Sequence, residues 1–214
     1  MKDIAIFGAG GLGREVACLI NMINGQGPTW NLIGFFDDNP ALKGTRNAYG
    51  EVLGGCQELN AWSRPLALAI AIGNPQAIKQ VTSSIHNSLI DFPNLTAPST
   101  IFLDRASVTF GKGNIICSRC LVSCNVSLGD FNILDGYITI GHDVKMGNCN
   151  AVMPSVNISG NVTMGDYNFL GVKSVVLQEL RIGNDVRLGA GCLMMQHAKD
   201  GLLYVGIPAK EKKH

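Results

Sequence analysis

One histidine of this chain stands in a context that suits acid–base chemistry. His142 lies in the run Ile140-Gly141-His142-Asp143. A neutral imidazole is the usual general base near pH 7, and a well-placed base contributes about 10²–10⁴ in rate. The alternative interpretation is a surface or interface histidine. We interpret His142 as the candidate base, with Asp143 directly after it.

A second group of residues, near the start of the chain, suits nucleotide binding. Gly8-Ala9-Gly10-Gly11-Leu12-Gly13 fits the pattern G-x-G-x-x-G. Glycines there let the backbone approach a phosphate at the start of a helix. Asp37 and Asp38 follow an apolar run, where a carboxylate can bind a ribose or a base edge. The structural alternative is that the glycines only permit close packing of a strand on a helix.

The elements that must position this loop alternate between strands and helices. The apolar patterns predict strands over 3–7, 31–36 and 66–72, and helices over 14–23 and 76–85. Such a layout is typical of a parallel sheet, with Gly73 and Asn74 following its third strand. The region is too short for both halves of a dinucleotide fold, so NAD is not favoured.

The back half of the chain is a six-residue repeat. Fifteen consecutive sixth positions from Phe110 to Met194 are all apolar, and eight glycines follow such positions at spacings that are multiples of six. Because six is even, the repeated residue stays on one side of successive strands. Hexapeptide repeats are typical of a parallel β-helix, and three faces of six residues predict about five coils over 108–197.

This register also assigns other residues. The motif G-x-x-N recurs every eighteen residues and ends in Asn114, Asn132, Asn150 and Asn168, which we predict to stack along one edge. In the same register His142 faces the surface, with Gly160 one coil away leaving space beside the imidazole. The cysteines at 117, 120 and 124 point in different directions, so we expect no metal site there. A single histidine in the repeat also excludes a zinc site built from three imidazoles.

Composition narrows the function classes further. Lys and Arg total 17 against 16 for Asp and Glu, so no basic excess exists to follow a nucleic-acid backbone. No window approaches the ~18 apolar residues of a membrane span. Seven cysteines with no export signal are interpreted as reduced thiols of a cytoplasmic protein. The basic tail from Lys210 to His214 can approach a CoA phosphate or simply be solvated.

Taken together, these motifs resemble one family. The residues that carry the resemblance are Gly-Ala-Gly-Gly-x-Gly-Arg-Glu over 8–15, Phe-Phe-Asp-Asp-Asn over 35–39, Ala-Ile-Gly-Asn-Pro over 71–75, Ile-Gly-His-Asp over 140–143 and Val-Gly-Ile-Pro-Ala-Lys over 205–210. The chain is similar over essentially its whole length to the NeuD/PglD-type sugar acyltransferases, which include sialic-acid O-acetyltransferases and nucleotide-amino-sugar N-acetyltransferases.

The resemblance implies an architecture and an activity. It implies a Rossmann-like α/β domain over 1–95 that binds a nucleotide-sugar, and a left-handed β-helix acyltransferase domain over 96–214. It implies a homotrimer, with acetyl-CoA as co-substrate between neighbouring prisms and no metal. The activity implied is transfer of an acetyl group to the amine or hydroxyl of a sugar, in the synthesis of surface polysaccharide or glycan precursors.

The resemblance also implies roles for individual residues. His142 is the implied base, Asp143 follows it, and Asp135 orients the base or binds the acceptor, where relatives often have Asn. The implied acetyl-CoA contacts are Gly160, Gly171, Val172 and Ala190. The implied nucleotide-sugar contacts are Gly10, Gly11, Leu12, Asp37, Asp38, Gly73 and Asn74.

This chain departs from its relatives at three histidines, one of which is in the His-Pro pair that often begins the β-helix of relatives and is Ala97-Pro98 here. Many relatives have a histidine where this chain has Leu12, and some have one where it has Ala151. The choice of acceptor is therefore open, and so is nitrogen against oxygen. The alternatives are O-acetylation of free sialic acid, acetylation of a non-sugar acceptor, and a non-catalytic nucleotide-binding scaffold.

Overall fold

The chain begins with a parallel sheet flanked by helices. The computed structural model describes residues 1–212, so Lys213 and His214, the end of the basic tail, lie outside the described residues. The first part consists of β1 (Lys2–Phe7), α1 (Gly11–Asn24), β2 (Trp30–Phe36), a 3₁₀ turn (Pro40–Leu42), β3 (Arg46–Asn47), β4 (Gly50–Gly54), α2 (Cys56–Asn60), β5 (Leu66–Ile70), α3 (Pro75–Ser84) and β6 (Ile90–Asp91). The strand order is β3-β4-β2-β1-β5-β6, and only β3 runs antiparallel to its neighbour.

The predicted strands and helices of this part are all present. The helix α1 starts at the glycine loop and buries Val16, Leu19 and Ile20, three of the four residues predicted for its apolar face. The hairpin and short helix between β2 and β5 were not predicted. That segment contains only short elements, which carry too few residues for a periodic signal.

The rest of the chain is a left-handed parallel β-helix with three faces. The first face stacks Leu95–Thr96, Ile115–Ile116, Ile133–Leu134, Ala151–Val152, Phe169–Leu170, Arg187–Leu188 and Leu203–Val205, and Lys210–Lys212 of the basic tail pairs antiparallel with the last of these. The second face stacks Ile101–Phe102, Leu121–Val122, Thr139–Ile140, Asn157–Ile158, Val175–Val176 and Leu193–Met194. The third face stacks Thr109–Phe110, Ser127–Leu128, Lys145–Met146, Thr163–Met164 and Arg181–Ile182.

The repeat places side chains as predicted. Fourteen of the fifteen repeated apolar residues are buried, and Phe110 is half-buried at the start. Every sixth residue from Arg119 to Asp185 has a φ between 53° and 63°, which turns the chain at each edge of the prism. We name the three edges after one residue each. The Asp135 edge joins the first face to the second, the His142 edge joins the second to the third, and the Asn132 edge joins the third to the first.

The predicted asparagine ladder runs inside the Asn132 edge. The side-chain Nδ2 of Asn132 donates to Oδ1 of Asn114 at 3.0 Å, and Nδ2 of Asn150 donates to Oδ1 of Asn132 at 2.9 Å. The backbone N–H of Asn168 donates to Oδ1 of Asn150 at 2.8 Å. Asn94 extends the ladder by one further coil, because its Oδ1 accepts from Asn114. The ladder supplies the polar partners that buried backbone groups need at a tight edge.

The β-helix begins one coil earlier than the hexad count indicated. Ile101 pairs with Leu121, twenty residues on, whereas Thr109 pairs with Ser127, eighteen residues on. Two extra residues and a 3₁₀ turn (Arg105–Ser107) between these strands break the six-residue phase. The first face packs against the front sheet and its helices, since Ile115 and Ile133 are buried among residues of both parts.

Candidate active site

The candidate base lies at an exposed turn and is oriented by its neighbour. His142 follows the strand Thr139–Ile140 on the His142 edge. Its Nδ1 lies 2.7 Å from Oδ2 of Asp143, and the two side chains are 62% and 50% exposed. A carboxylate can only accept this hydrogen bond, so a neutral His142 carries its proton on Nδ1. The lone pair is then on Nε2, which has no hydrogen-bond partner among the described residues and can take a proton.

Two hydrogen bonds keep Asp143 ionised. The bond from His142 is the larger cause, and a bond from Nδ2 of Asn125 at 3.1 Å is the second; together they lower the pKa of the Asp143 carboxyl. A carboxylate at this position stabilises the positive charge that develops on the imidazole when it takes a proton. The pair thus has the arrangement that a general base requires.

Gly160 provides the space that the imidazole of this base occupies. It lies one coil beyond His142, and a β-carbon built on it would be 2.5 Å from Nε2 of the imidazole. Any side chain there would therefore displace the ring. The sequence register correctly predicted this neighbourhood.

Asp135 does not join His142 within one chain. It is half-buried on the Asp135 edge, and it lines a cavity of about 250 Å³ together with Glu15, Met22 and Tyr137. Burial and the nearby charge of Glu15 raise the pKa of the Asp135 carboxyl. Two of the three predicted catalytic residues therefore lie together, and the third lies on another edge of the prism.

The predicted acetyl-CoA residues are divided between the same two edges. Gly171, Val172 and Ala190 lie on the Asp135 edge, and Gly160 lies on the His142 edge. Val172 and Ala190 are exposed in adjacent coils, while Gly171 is buried. A β-carbon on Gly171 would lie 2.6 Å from the backbone nitrogen of Ala190, so that glycine serves close packing of the coils.

The glycine loop contains two kinds of glycine. A β-carbon on Gly8 would lie 2.6 Å from the carbonyl oxygen of Ala71, and one on Gly13 would collide with the carbonyl of Gly8. Gly10 and Gly11 have nothing within 4 Å of such an atom, and the helix α1 starts there with no side-chain cap. Gly10 and Gly11 are therefore free to meet a ligand. Leu12 is half-buried and packs against two clusters of buried apolar residues, one that includes Ile6 and one that includes Phe7.

The predicted polar contacts of the front part already have partners within the chain. Asp37 accepts from the backbone N–H groups of Ala9 at 2.9 Å and Asn39 at 3.0 Å. Asp38 accepts from the backbone N–H of Cys56 at 2.8 Å with Oδ1 and from the Cys56 thiol at 3.5 Å with Oδ2. Both oxygens of Asp37 are therefore used on backbone groups, and Asp38 has the weaker partners. Asn74 caps α3 through Gln76 and Ala77, which leaves its Nδ2 free, and Gly73 is open.

Two cavities flank the acidic pair Asp37 and Asp38. One of about 300 Å³ is lined by Asp37, Asp38, Lys43 and Cys56, and one of about 370 Å³ by Gly8, the same two aspartates and Ile72. A further cavity of about 550 Å³ lies at the opposite end of the sheet, where its strands begin, around Met1 and Trp30. That cavity is remote from both the glycine loop and His142. We therefore assign the candidate ligand site of the front part to the two smaller cavities around Asp37 and Asp38.

The cysteines of the repeat do not form a ligand set. Burial raises the pKa of Cys117 to about 12 and that of Cys120 to about 11, so both thiols stay protonated at neutral pH. Within residues 1–212, no group of three or more metal-ligating side chains comes together. In the same range, no helix has the length and apolar character that crossing a bilayer requires.

Three features of the site region were not predicted. Asn125 contacts Asp143 from the preceding coil, and Glu15 faces Asp135 across the cavity. An outer ladder runs along the Asn132 edge, where each side-chain Oδ1 accepts from the backbone N–H of the residue one coil earlier. Its first four members directly follow a glycine, and the members are Asp130, Asn148, Asp166, Asn184 and Asp200. The eighteen-residue spacing would have identified this ladder and Asn125.

Comparisons with known proteins agree with this geometry. Residues 3–85 match the PglD N-terminal domain family. The acetyltransferase domain of PglB from Neisseria gonorrhoeae FA1090, solved in complex with acetyl coenzyme A, is 27% identical, with a TM-score of 0.87 over 99% of each chain.

Two further solved structures share the fold. PerB from Caulobacter crescentus, in complex with CoA and GDP-perosamine, is 24% identical, with a TM-score of 0.85 over 100% of this chain and 98% of that one. WeeI from Acinetobacter baumannii AYE is 24% identical, with a TM-score of 0.87 over 99% of this chain and 100% of that one. The whole described arrangement, sheet followed by β-helix, therefore recurs in these proteins.

Proposed function

We propose that this chain is a sugar acyltransferase of the PglD/NeuD type and that it transfers an acetyl group from acetyl-CoA to the amine of a nucleotide-linked sugar, with His142 as the general base. The observation that carries this proposal is the orientation of His142. Its Nδ1 lies 2.7 Å from Oδ2 of Asp143, which leaves the lone pair on Nε2, and Gly160 provides the room for the ring. A second support is that a similar acetyltransferase domain binds acetyl-CoA and that PerB is a perosamine N-acetyltransferase.

The chemistry follows from this nitrogen. The sugar amine attacks the carbonyl carbon of the thioester, the carbon–sulfur bond breaks, and CoA leaves as the thiol. Nε2 of His142 accepts the proton that the amine loses and returns a proton to the leaving sulfur. Asp143 stabilises the imidazolium in between. The same steps with a hydroxyl acceptor give the O-acetyltransferase alternative.

We further propose that the enzyme works as a homotrimer. The outward residues of the third face are polar, among them Lys145 and Arg181, and the front part covers the first face. The second face turns mainly apolar residues outward, among them Ile101, which is 56% exposed, and Leu103 and Met195, which directly follow its first and last strands, are 63% and 55% exposed. Closed contact through this face would bring the His142 edge of one subunit near the Asp135 edge of the next. Both halves of the divided acetyl-CoA set would then meet between subunits.

Three finer assignments belong to the same proposal. We assign nucleotide-sugar binding to a domain over 1–95 and acetyl transfer to a domain over 96–214, although the strand Leu95–Thr96 lies across that boundary. We assign Gly10, Gly11, Gly73 and Asp38 to the nucleotide-sugar. We place the enzyme in the cytoplasm, since all seven cysteines are free thiols, which suits a reducing compartment.

The first test is a thermal-shift screen against acetyl-CoA, NAD and UDP-, GDP-, dTDP- and CMP-linked amino sugars. A ligand at 100 times its Kd adds about 2.7 kcal/mol to the free energy of unfolding, which is easily detected. Stabilisation by acetyl-CoA and one nucleotide class supports the proposal. Stabilisation by acetyl-CoA alone moves the acceptor to a free sugar such as sialic acid, and stabilisation by a nucleotide alone favours the scaffold.

The second test is the release of CoA thiol by a His142→Ala variant. We expect a loss of about 10²–10⁴ in kcat with an unchanged melting temperature. His86 is the matched control, because it is exposed on the front part and its side chain has no role in the proposal. Full turnover by His142→Ala would refute the role of His142 as general base.

Light scattering tests the trimer separately, because a trimer should have a mass near three times 22.8 kDa.

A further inference from the structure

Asp143 is held from two sides. Its Oδ2 accepts from Nδ1 of His142 at 2.7 Å, and its Oδ1 accepts from Nδ2 of Asn125 at 3.1 Å. Both members of the His142–Asp143 pair are at least half exposed, so water competes for their hydrogen bonds. One bond alone would leave the carboxylate free to rotate about its own axis.

We propose that Asn125 is a positioning residue for the general base, acting through the carboxylate of Asp143. This inference rests on the proposed function and adds a residue to it. Asn125 never reaches the imidazole itself. It fixes the plane of the carboxylate, and the carboxylate in turn fixes the ring so that Nε2 keeps its lone pair and its direction.

The β-helix gives Asn125 the geometry for this role. Asn125 and Asp143 occupy the same turn position in consecutive coils, with φ of 56° and 59°. Asparagine tolerates this left-handed conformation better than most residues do. The backbone of Asn125 is anchored on the preceding coil, since its N–H donates to Oγ of Ser107 at 2.8 Å. The backbone N–H of Asp143 donates to the carbonyl of Cys124, which joins the two coils next to the contact.

The chain provides a matched control one coil further on. Asn161 stands at the same turn position, has a φ of 57° and is exposed. Among residues 1–212 its side chain has no hydrogen-bond partner. Asn125→Ala and Asn161→Ala therefore carry the same backbone penalty, and only the first removes a donor from Asp143.

The kinetic test compares these two variants. We expect Asn125→Ala to lower kcat for acetyl transfer about three- to tenfold, the range for loss of one hydrogen bond, with an unchanged KM for acetyl-CoA. Asn161→Ala should match the wild type. Asn125→Asp should be slower than Asn125→Ala, because it removes the donor and places a second negative charge against Asp143.

A spectroscopic test does not depend on turnover. The chain has four histidines, so ¹⁵N-histidine labelling gives few ring signals, and His142→Ala identifies those of His142. We expect wild type and Asn161→Ala to show the proton on Nδ1, and Asn125→Ala to show a shift toward a mixture of tautomers. Identical ring signals in all three proteins would overturn the inference. Absence of acetyl transfer by the wild type would overturn the proposed function instead, and the ring signals would still decide the role of Asn125.

Discussion

A β-carbon on Gly160 would lie 2.5 Å from Nε2 of His142, and all three of its nearest neighbours would be atoms of that imidazole. The glycine therefore does not serve the backbone of the β-helix at this turn. Its lack of a side chain instead leaves room for the imidazole of His142 in the adjacent coil. This distinguishes Gly160 from Gly171, whose β-carbon would meet the backbone of the next coil.

Gly160→Ala should reduce activity without reducing stability. The added methyl group would push an exposed side chain aside, which costs little in folding, but the displaced ring would miss the acceptor. A misplacement of about 1 Å can cost about 10²-fold in rate, so we expect a tenfold to hundredfold loss in kcat. Steady-state kinetics and a thermal melt of the same sample measure both effects.

Gly171→Ala is the contrasting variant. Its β-carbon would lie 2.6 Å from a backbone nitrogen that cannot move without shifting a coil, so we expect a clearly lower melting temperature. If Gly160→Ala melted as early as Gly171→Ala, the space beside His142 would be structural. Wild-type turnover by Gly160→Ala would show that Nε2 does not act from the observed position.

The contacts along the β-helix were predictable because the repeat makes them periodic. Residues eighteen apart lie one above the other, so the neighbourhood of His142 and Gly160 and the asparagine ladder follow from counting. The count misses the first coil, because two extra residues after Phe102 change the phase. The contact between Asn125 and Asp143 was within reach of the same count.

Contacts between the two parts of the chain were not predictable in this way. Glu15 and Asp135 are 120 positions apart and meet only because α1 packs on the first face. The acidic pair was predicted to be a ligand site from its place after β2, and that role stays a prediction. Besides the local N–H of Asn39, the backbone N–H groups that bind these carboxylates belong to Ala9 and Cys56, which no local pattern connects to them.

Asp135→Asn should stabilise the protein at neutral pH. Burial and Glu15 raise the pKa of the Asp135 carboxyl in the folded state above its value of 3.8 in the unfolded chain. The unfolded state therefore releases this proton at a lower pH, and the ionised carboxylate disfavours folding at pH 7. The gain from Asn should be present above the raised pKa and should vanish as the pH falls below 3.8.

Denaturant melts of Asp135→Asn and wild type between pH 3.5 and pH 7.5 check this sign. Glu15→Gln should give a smaller gain of the same direction, because it removes only the charge and not the burial. A gain that persisted unchanged at pH 3.5 would show that packing of the amide, and not ionisation, is responsible. A loss of acetyl transfer in the stabilised variant would mean that the carboxylate is retained for function.

The asparagine ladder should be strongest at its middle. Asn132 is fully buried, and its Oδ1 accepts two hydrogen bonds from Asn150 while its Nδ2 donates to Asn114 and to Gly147. Asn132→Val would leave several of these groups unpaired, so we expect a loss of about 2–4 kcal/mol in the free energy of unfolding. Valine itself fits this slot, since Val186 occupies it one coil beyond the ladder.

Asn168→Val is the control for the ladder. Asn168 ends the ladder, and its Nδ2 has no hydrogen-bond partner in the described part of the chain, although its Oδ1 accepts from the backbone N–H of Val186. We expect about half the loss seen for Asn132→Val in urea melts. Equal losses would assign the effect to the shape of the slot rather than to the hydrogen bonds.

The two aspartates after β2 should separate into a structural and a binding residue. Asp37 uses both carboxylate oxygens on backbone N–H groups, one of them in the glycine loop, so Asp37→Ala should lower the free energy of unfolding by about 1–2 kcal/mol. Asp38 accepts from the backbone N–H of Cys56 with Oδ1, and its Oδ2 accepts only a long bond of 3.5 Å from the Cys56 thiol, while the carboxylate lines the cavity. Asp38→Ala should therefore reduce the affinity for the nucleotide-sugar identified by thermal shift, with acetyl-CoA affinity unchanged in calorimetry. Unchanged nucleotide-sugar affinity in Asp38→Ala would show that this carboxylate only caps α2, and would move the binding role to the open backbone at Gly10 and Gly11.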